Sequence, residues 1–127
     1  ADDQETHRLR MQAVQAEMRA RIAAAKGEKG ITAVFTGDGK GKSTAAFGML
    51  VRMLGHGRRC VVVQFIKSGD TAMERRLRGP GLSWHRVGRG FTWDTQDKEA
   101  DAEAVRTGWA IALGAMRDPG VHFLLLD

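Results

Sequence analysis

The chain has 127 residues, with 20 Lys plus Arg against 15 Asp plus Glu, a formal net charge of +5 and 43% apolar residues. That is the length of one domain and enough apolar content for one packed core, which excludes a disordered chain. No apolar run approaches the ~20 residues that span a bilayer, no N-terminal stretch has the make-up of a signal peptide, and a single cysteine, Cys60, excludes an intramolecular disulfide framework. A reducing, cytoplasmic setting without membrane association is expected. The excess positive charge is spread along the chain, which favours phosphate-bearing small molecules over nucleic acid.

Residues 5–26 have the pattern of a basic amphipathic helix. Met11, Val14, Met18 and Ile22 recur at helical spacing, with Arg8, Arg10, Arg19 and Arg21 between them. Gly27 is a stop signal. Residues 1–27 are therefore read as a helical arm, packed on its own domain or docked over a site or a partner subunit, and residues 28–127 as an α/β domain. In that domain, residues 31–35 read as a buried strand, 36–42 as a Gly-rich loop and 43–54 as a helix closed by Gly55. Residues 60–66 form a second strand of continuous apolar character, as parallel strands require. A short helix over 72–78 ends at Gly79-Pro80, and a weaker strand covers 82–87. Residues 88–96 form a loop with two aromatics. A helix over 97–117 follows, with Val105, Trp109, Leu113 and Met116 on one face and Trp109 expected in the core. A last strand over 121–126 leads to Asp127. Strand–helix alternation of this kind gives a parallel sheet flanked by helices.

The strongest chemical signal is Thr36-Gly37-Asp38-Gly39-Lys40-Gly41-Lys42-Ser43-Thr44, placed between a strand and a helix as a phosphate-binding P-loop is. Glycines let successive N–H groups turn toward one anion, and the helix N-terminus adds its partial positive charge. Lys42 supplies a mobile charge for phosphate oxygens, and the Ser43 hydroxyl suits Mg²⁺. The loop departs from the usual G-x-x-x-x-G-K-[ST]. Thr36 stands in the first glycine's place, and counted from Gly37 the loop is one residue short. The apolar strand ending in Asp127 reads as the second half of a nucleotide site, with Asp127 holding Mg²⁺ directly or through water. Gln64 and Lys67 border the carboxyl end of a strand, where α/β proteins bind ligands. Residues 74–78 read as a solvated helix face, Cys60 as an inert core thiol, and His7, His56, His85 and His122 lack metal-ligand spacing. Phe91 and Trp93, set among glycines and polar residues, form a flat apolar wall for a large planar ligand or else clasp their own loop.

The run TGDGKGKSTAAFG, followed by VVVQFIK, GFTWDTQ and LLLD, resembles the P-loop CobA/CobO/BtuR family of cob(I)alamin (corrinoid) adenosyltransferases. The short P-loop is typical of that family, and G-F-T-W-[DE]-T-Q is its most specific stretch. The resemblance covers nearly all of the chain. It implies a P-loop NTPase-like α/β fold with an N-terminal helical arm that helps cover the active site. It implies a homodimer that transfers the 5′-deoxyadenosyl group of ATP to the cobalt of a reduced corrinoid and releases triphosphate. Thr36, Gly37, Asp38, Gly39, Lys40, Gly41, Lys42, Ser43 and Thr44 then correspond to the ATP-binding loop. Ser43 and Asp127 correspond to the ligands of Mg²⁺ (or Mn²⁺), and Phe91 and Trp93 to the aromatics against the corrin. An electron donor such as a reduced flavoprotein completes the expected partners. In the family an acidic residue and further strands follow this Asp, so C-terminal strands are expected to be missing from the chain. The alternative is a P-loop ATPase module that drives a protein or nucleic-acid partner through its basic helix.

Overall fold

The computed structural model describes residues 2–90 and 96–127. They fall into two compact units, divided between Val34 and Phe35. The first unit is dominated by α1 (Asp2–Ala24). Ion pairs Glu5–Arg8 (3.6 Å) and Glu17–Arg21 (2.8 Å) run along its surface at helical spacing, and Met11, Val14, Met18 and Ile22 are exposed.

The second unit is an open α/β sandwich. Its elements in chain order are α2 (Lys42–Gly55), β1 (Cys60–Gln64), α3 (Ala72–Leu77), β2 (Leu82–Arg86), α4 (Lys98–Arg117) and β3 (Phe123–Leu126). The sheet runs β2-β1-β3 and is parallel throughout, with Cys60 opposite Leu82 on one side and Phe123 on the other. Central β1 is buried along its whole length, which its run of Val61, Val62 and Val63 allows. Alternation along β1 sends Cys60 and Val62 toward Phe47 and Leu50 of α2, a layer joined by Leu77, Leu82, Trp84, Phe123 and Leu125. Val61 and Val63 face α4 through Ala112, with Ile111, Ala115 and Leu124 around them. Cys60 is fully buried, and burial pushes its thiol pKa up, as an inert core thiol requires.

Helix starts follow their sequence signals. Thr71 accepts from the Glu74 N–H (3.1 Å) and Asp97 from the Ala100 N–H (3.0 Å). Three expectations are corrected. Residues 31–35 form no strand. Ile31 and Val34 are 76% and 79% exposed, because apolar, β-branched composition permits a strand but only a ladder partner makes one. Trp109 is 47% exposed, and Val105 and Met116 are exposed beside it. The buried face of α4 is instead Gly108 and Ala112. A Cβ on Gly108 would come within 2.7 Å of Phe65 and Val87, so the helix lies so near the sheet that only its smallest residues fit inward. Glu74 is not on a solvated face. It is 5% exposed and held by Arg86 of β2 and by Arg78 (3.1 Å), with Asp70 pairing Arg75 at 3.4 Å. A carboxylate buried among cations is tolerated where a lone one is not.

Candidate functional site

The site lies at the carboxyl ends of β1 and β3, where parallel sheets gather ligands. The loop before α2 turns through Gly37 (φ 137°) and Gly41 (φ 107°), backbone conformations that L side chains rarely adopt. Gly41 precedes α2 and gives it no side-chain cap, so the first-turn N–H groups remain available to an anion. Lys42 curls back over the loop and donates from Nζ to the carbonyls of Gly37 (2.6 Å) and Gly39 (2.5 Å). Thr36, Asp38, Lys40 and Thr44 are exposed around it.

Asp127 follows β3 directly, and its backbone is tied to β1 on both sides. Its N–H donates to Val63 (2.9 Å), and its carbonyl accepts from the Phe65 N–H (2.8 Å). The carboxylate is thereby brought to the P-loop. Ser43 Oγ donates to Asp127 Oδ1 at 2.9 Å across 84 residues of sequence. Gln64 Nε2 donates to Asp127 Oδ2 at 2.8 Å, and Lys67 Nζ lies 3.5 Å from the same oxygen. Burial pushes the Asp127 pKa up, but hydrogen bonds from Gln64 and Ser43 and the Lys67 charge outweigh it, so the net shift is downward.

Gln64 is 1% exposed and both ends of its carboxamide are used within the protein. Its Oε1 accepts from Trp84 Nε1 at 2.9 Å. It therefore does not offer itself to a ligand as its place at the strand end suggested. Trp84 was legible in the sequence only as part of a weak strand. The signal was present all the same: a lone amide in an apolar strand must find partners when buried, and an indole N–H is a donor that must do the same.

The oxygen donors of Ser43 and Asp127 suit a hard divalent cation. Two ligands of one octahedral Mg²⁺, each at ~2.0–2.1 Å, lie about 2.9 Å apart, and the Ser43–Asp127 oxygens are 2.9 Å apart. Mg²⁺ commonly takes one or two carboxylates and completes its shell with phosphates and waters. Among the described residues there is no cluster of three or more His, Cys, Asp or Glu for a metal bound by protein alone. Phe91 and Trp93 lie outside the described residues, and the loop resumes its description at Gln96. On its near side, Gly88 packs so close to β1 that a Cβ would fall 2.1 Å from the Ile66 carbonyl group. The Gly90 N–H donates to Ile66 at 3.0 Å, which fixes where that loop departs. Among the described residues no helix is long and apolar enough to cross a membrane.

The family model described as ATP:corrinoid adenosyltransferase BtuR/CobO/CobP matches residues 28–127. The corrinoid adenosyltransferase of Pseudomonas aeruginosa is 43% identical over 125 residues, covering 95% of this chain and 61% of that protein. The corrinoid adenosyltransferase of Escherichia coli (strain K12) is 45% identical over 124 residues, 97% of this chain and 63% of that protein. Corrinoid adenosyltransferase CobA of Salmonella typhimurium is 44% identical over the same shares. The chain thus spans about three-fifths of the length of these curated relatives. With the family model matched from residue 28 to residue 127, this chain belongs to the ATP:corrinoid adenosyltransferase BtuR/CobO/CobP family.

Proposed function

We propose that this chain carries the nucleotide-binding machinery of an ATP:corrinoid adenosyltransferase, which moves the 5′-deoxyadenosyl group of ATP onto the cobalt of a reduced corrinoid. The observation that carries the reading is the contact of Ser43 with Asp127, made beside an uncapped helix N-terminus. Membership in the family supplies the reaction.

Lys42 leaves the Gly37 and Gly39 carbonyls to meet phosphate oxygens, and Lys40 and Thr44 line the same loop. The backbone N–H groups of the loop and of the first turn of α2 orient the triphosphate. Ser43 and Asp127 would hold Mg²⁺ or Mn²⁺, which when bound neutralises charge on the triphosphate. The corrinoid substrate, as cobalt(I), is itself the nucleophile. Its electron pair forms the Co–C5′ bond while C5′–O5′ breaks, and the triphosphate departs with the bonding pair. Cobalt goes formally from I to III. The protein then needs no side-chain nucleophile, and its contribution is placement and stabilisation of the leaving charge. Phe91 and Trp93 are assigned to the corrin side, where apolar rings would keep water and a lower axial ligand away from cobalt. The functional unit on this reading is a homodimer, supplied with electrons by a donor such as a reduced flavoprotein.

The deciding experiment mixes the protein with ATP, Mg²⁺ and chemically reduced cobalamin under anaerobic conditions. Visible spectroscopy follows the cobalt–carbon product, and chromatography follows triphosphate. Product with stoichiometric triphosphate is expected. ATP bound and cleaved to ADP and phosphate, with no alkylated corrinoid, would refute the reading and favour a partner-driven ATPase.

A further inference from the structure

Asp127 is not held by Ser43 alone. Ser43 and Phe47 lie one turn apart on α2. The Phe47 ring stacks on Trp84, with centroids 5.4 Å apart and planes 6° from parallel. Trp84 Nε1 donates to Gln64 Oε1 (2.9 Å), Gln64 Nε2 donates to Asp127 Oδ2 (2.8 Å), and Asp127 Oδ1 accepts from Ser43 (2.9 Å). The contacts close into a ring through α2, β2, β1 and the end of β3.

The chemistry of each link admits one arrangement. An indole N–H only donates, so it takes the carboxamide oxygen; an ionised carboxylate only accepts, so it takes the carboxamide NH₂. The amide of Gln64 is therefore keyed at both ends. Oδ2 is pinned inside, and Oδ1 is left on the P-loop side. Lys67, half exposed and 3.5 Å from Oδ2, would otherwise compete for that oxygen and turn the carboxylate.

We propose that Gln64, keyed by Trp84, is the positioning residue of this site: it sets the rotation of the Asp127 carboxylate so that Oδ1 and the Ser43 hydroxyl present one edge to a divalent cation. Partners of this kind behind a ligand commonly govern metal affinity by about 10- to 100-fold. The inference rests on the proposed ATP-binding role of the P-loop, and the test separates the two.

The probe is Mn²⁺, whose free ion is counted by electron paramagnetic resonance in the presence of ATP. Metal-free ATP affinity is measured in parallel by equilibrium dialysis with EDTA. Gln64→Met keeps side-chain length and removes both hydrogen bonds. Trp84→Phe removes the indole N–H and keeps a ring against Phe47. Gln64→Met is expected to weaken Mn²⁺ binding about 10- to 100-fold and to leave metal-free ATP affinity within about twofold. Trp84→Phe is expected to move Mn²⁺ affinity in the same direction by less. The double variant should be no weaker than Gln64→Met alone, because Trp84 acts through Gln64. Unchanged Mn²⁺ affinity in Gln64→Met, equal loss of metal-free ATP binding, or additive effects in the double variant would each overturn the positioning role. Should Gln64→Met fail to fold, the Mn²⁺ affinity of Trp84→Phe decides, and no change there is a refutation. If the unmodified protein itself fails to bind ATP, the P-loop reading falls and this inference with it.

Discussion

Lys42→Ala tests the phosphate loop most directly, and its size can be worked from the geometry. Nζ now makes two charge-assisted bonds, to the Gly37 and Gly39 carbonyls at 2.6 and 2.5 Å, in a loop open to solvent. A full charge about 4 Å from a phosphate oxygen near a protein surface gains about 4 kcal/mol. Surrendering the two loop bonds takes back about 1–2 kcal/mol, since such bonds are worth about 0.5–1 kcal/mol each when exposed. About 2–3 kcal/mol remains, a 30- to 150-fold weakening of ATP affinity. Titration calorimetry at low salt measures it, and the same loss is expected with EDTA present because the lysine acts on phosphate itself. Folding stability should change by less than about 0.5 kcal/mol, as for other exposed surface substitutions. An unchanged ATP affinity with the fold intact would refute the assignment of this loop to phosphate. A protein that unfolds would refute the view that the two carbonyl bonds are incidental to stability.

Glu74→Ala leaves Arg86 without its buried counter-charge and should cost about 3–5 kcal/mol in urea unfolding, with Glu74→Gln costing less; a loss under about 1 kcal/mol would show that Arg86 escapes to water. Gly88→Ala forces a Cβ to within 2.1 Å of the Ile66 backbone, so it should destabilise the protein by more than the ~1–3 kcal/mol typical of overpacking between side chains, read by the same unfolding assay. Stability should also fall on acidification. The Asp118 carboxyl is held low by the Gly120 N–H and then by Arg59, and Asp127 is also lowered; a depressed native pKa gives stability that is complete above the ordinary value of 3.8 and is lost as pH falls through the native one. The unfolding midpoint should be flat from neutral pH down to about 5 and drop below about 4, and a midpoint that rises on acidification would contradict the sign. Trp93→Ala should spare ATP binding while impairing adenosylation that starts from cobalt(II) corrinoid. Equal impairment with pre-reduced cobalt(I) would count against a role in reduction.

Much of the α/β frame was legible because its signals are local. Thr71 and Asp97 mark helix starts as their side chains require, and the apolar run from Cys60 becomes the central strand. The expected strand ended early, at Gln64, because Phe65 and Ile66 turn to meet Asp127 and Gly90. What was not legible depends on distance between elements. The outward turn of Trp109 follows from how closely α4 approaches the sheet at Gly108, a spacing that helical periodicity does not encode. The burial of Glu74 follows from Arg86, twelve residues on and in another element. In the site, the P-loop and the terminal carboxylate were each readable as motifs. Their join through Gln64 and Trp84 was not, since it needs the register that sets Val62 opposite Trp84 and Val63 opposite Leu126.

That join bears on which P-loop chemistry suits the site. Phosphoryl transfer to water needs a residue that orients or deprotonates the attacking water beside the γ-phosphate. Asp127 is the carboxylate at the loop, and it is poorly suited to that task. Oδ1 accepts from Ser43, Oδ2 accepts from Gln64, and Lys67 stands by the latter. Neither oxygen is free to take a proton while these bonds hold. Such a carboxylate is suited to stay ionised and fixed, as a ligand to the cation of a departing polyphosphate. A nucleophile that carries its own electron pair and has no proton to lose, as cobalt(I) does, asks nothing more of the protein at this position. The demand that remains is that C5′ and cobalt meet, and it moves selection of the substrate away from the phosphate loop to whatever surface receives the corrin. Substitutions around Asp127 should therefore change how tightly metal and nucleotide are held without changing which corrinoid is preferred, while substitutions at Phe91 and Trp93 should do the reverse.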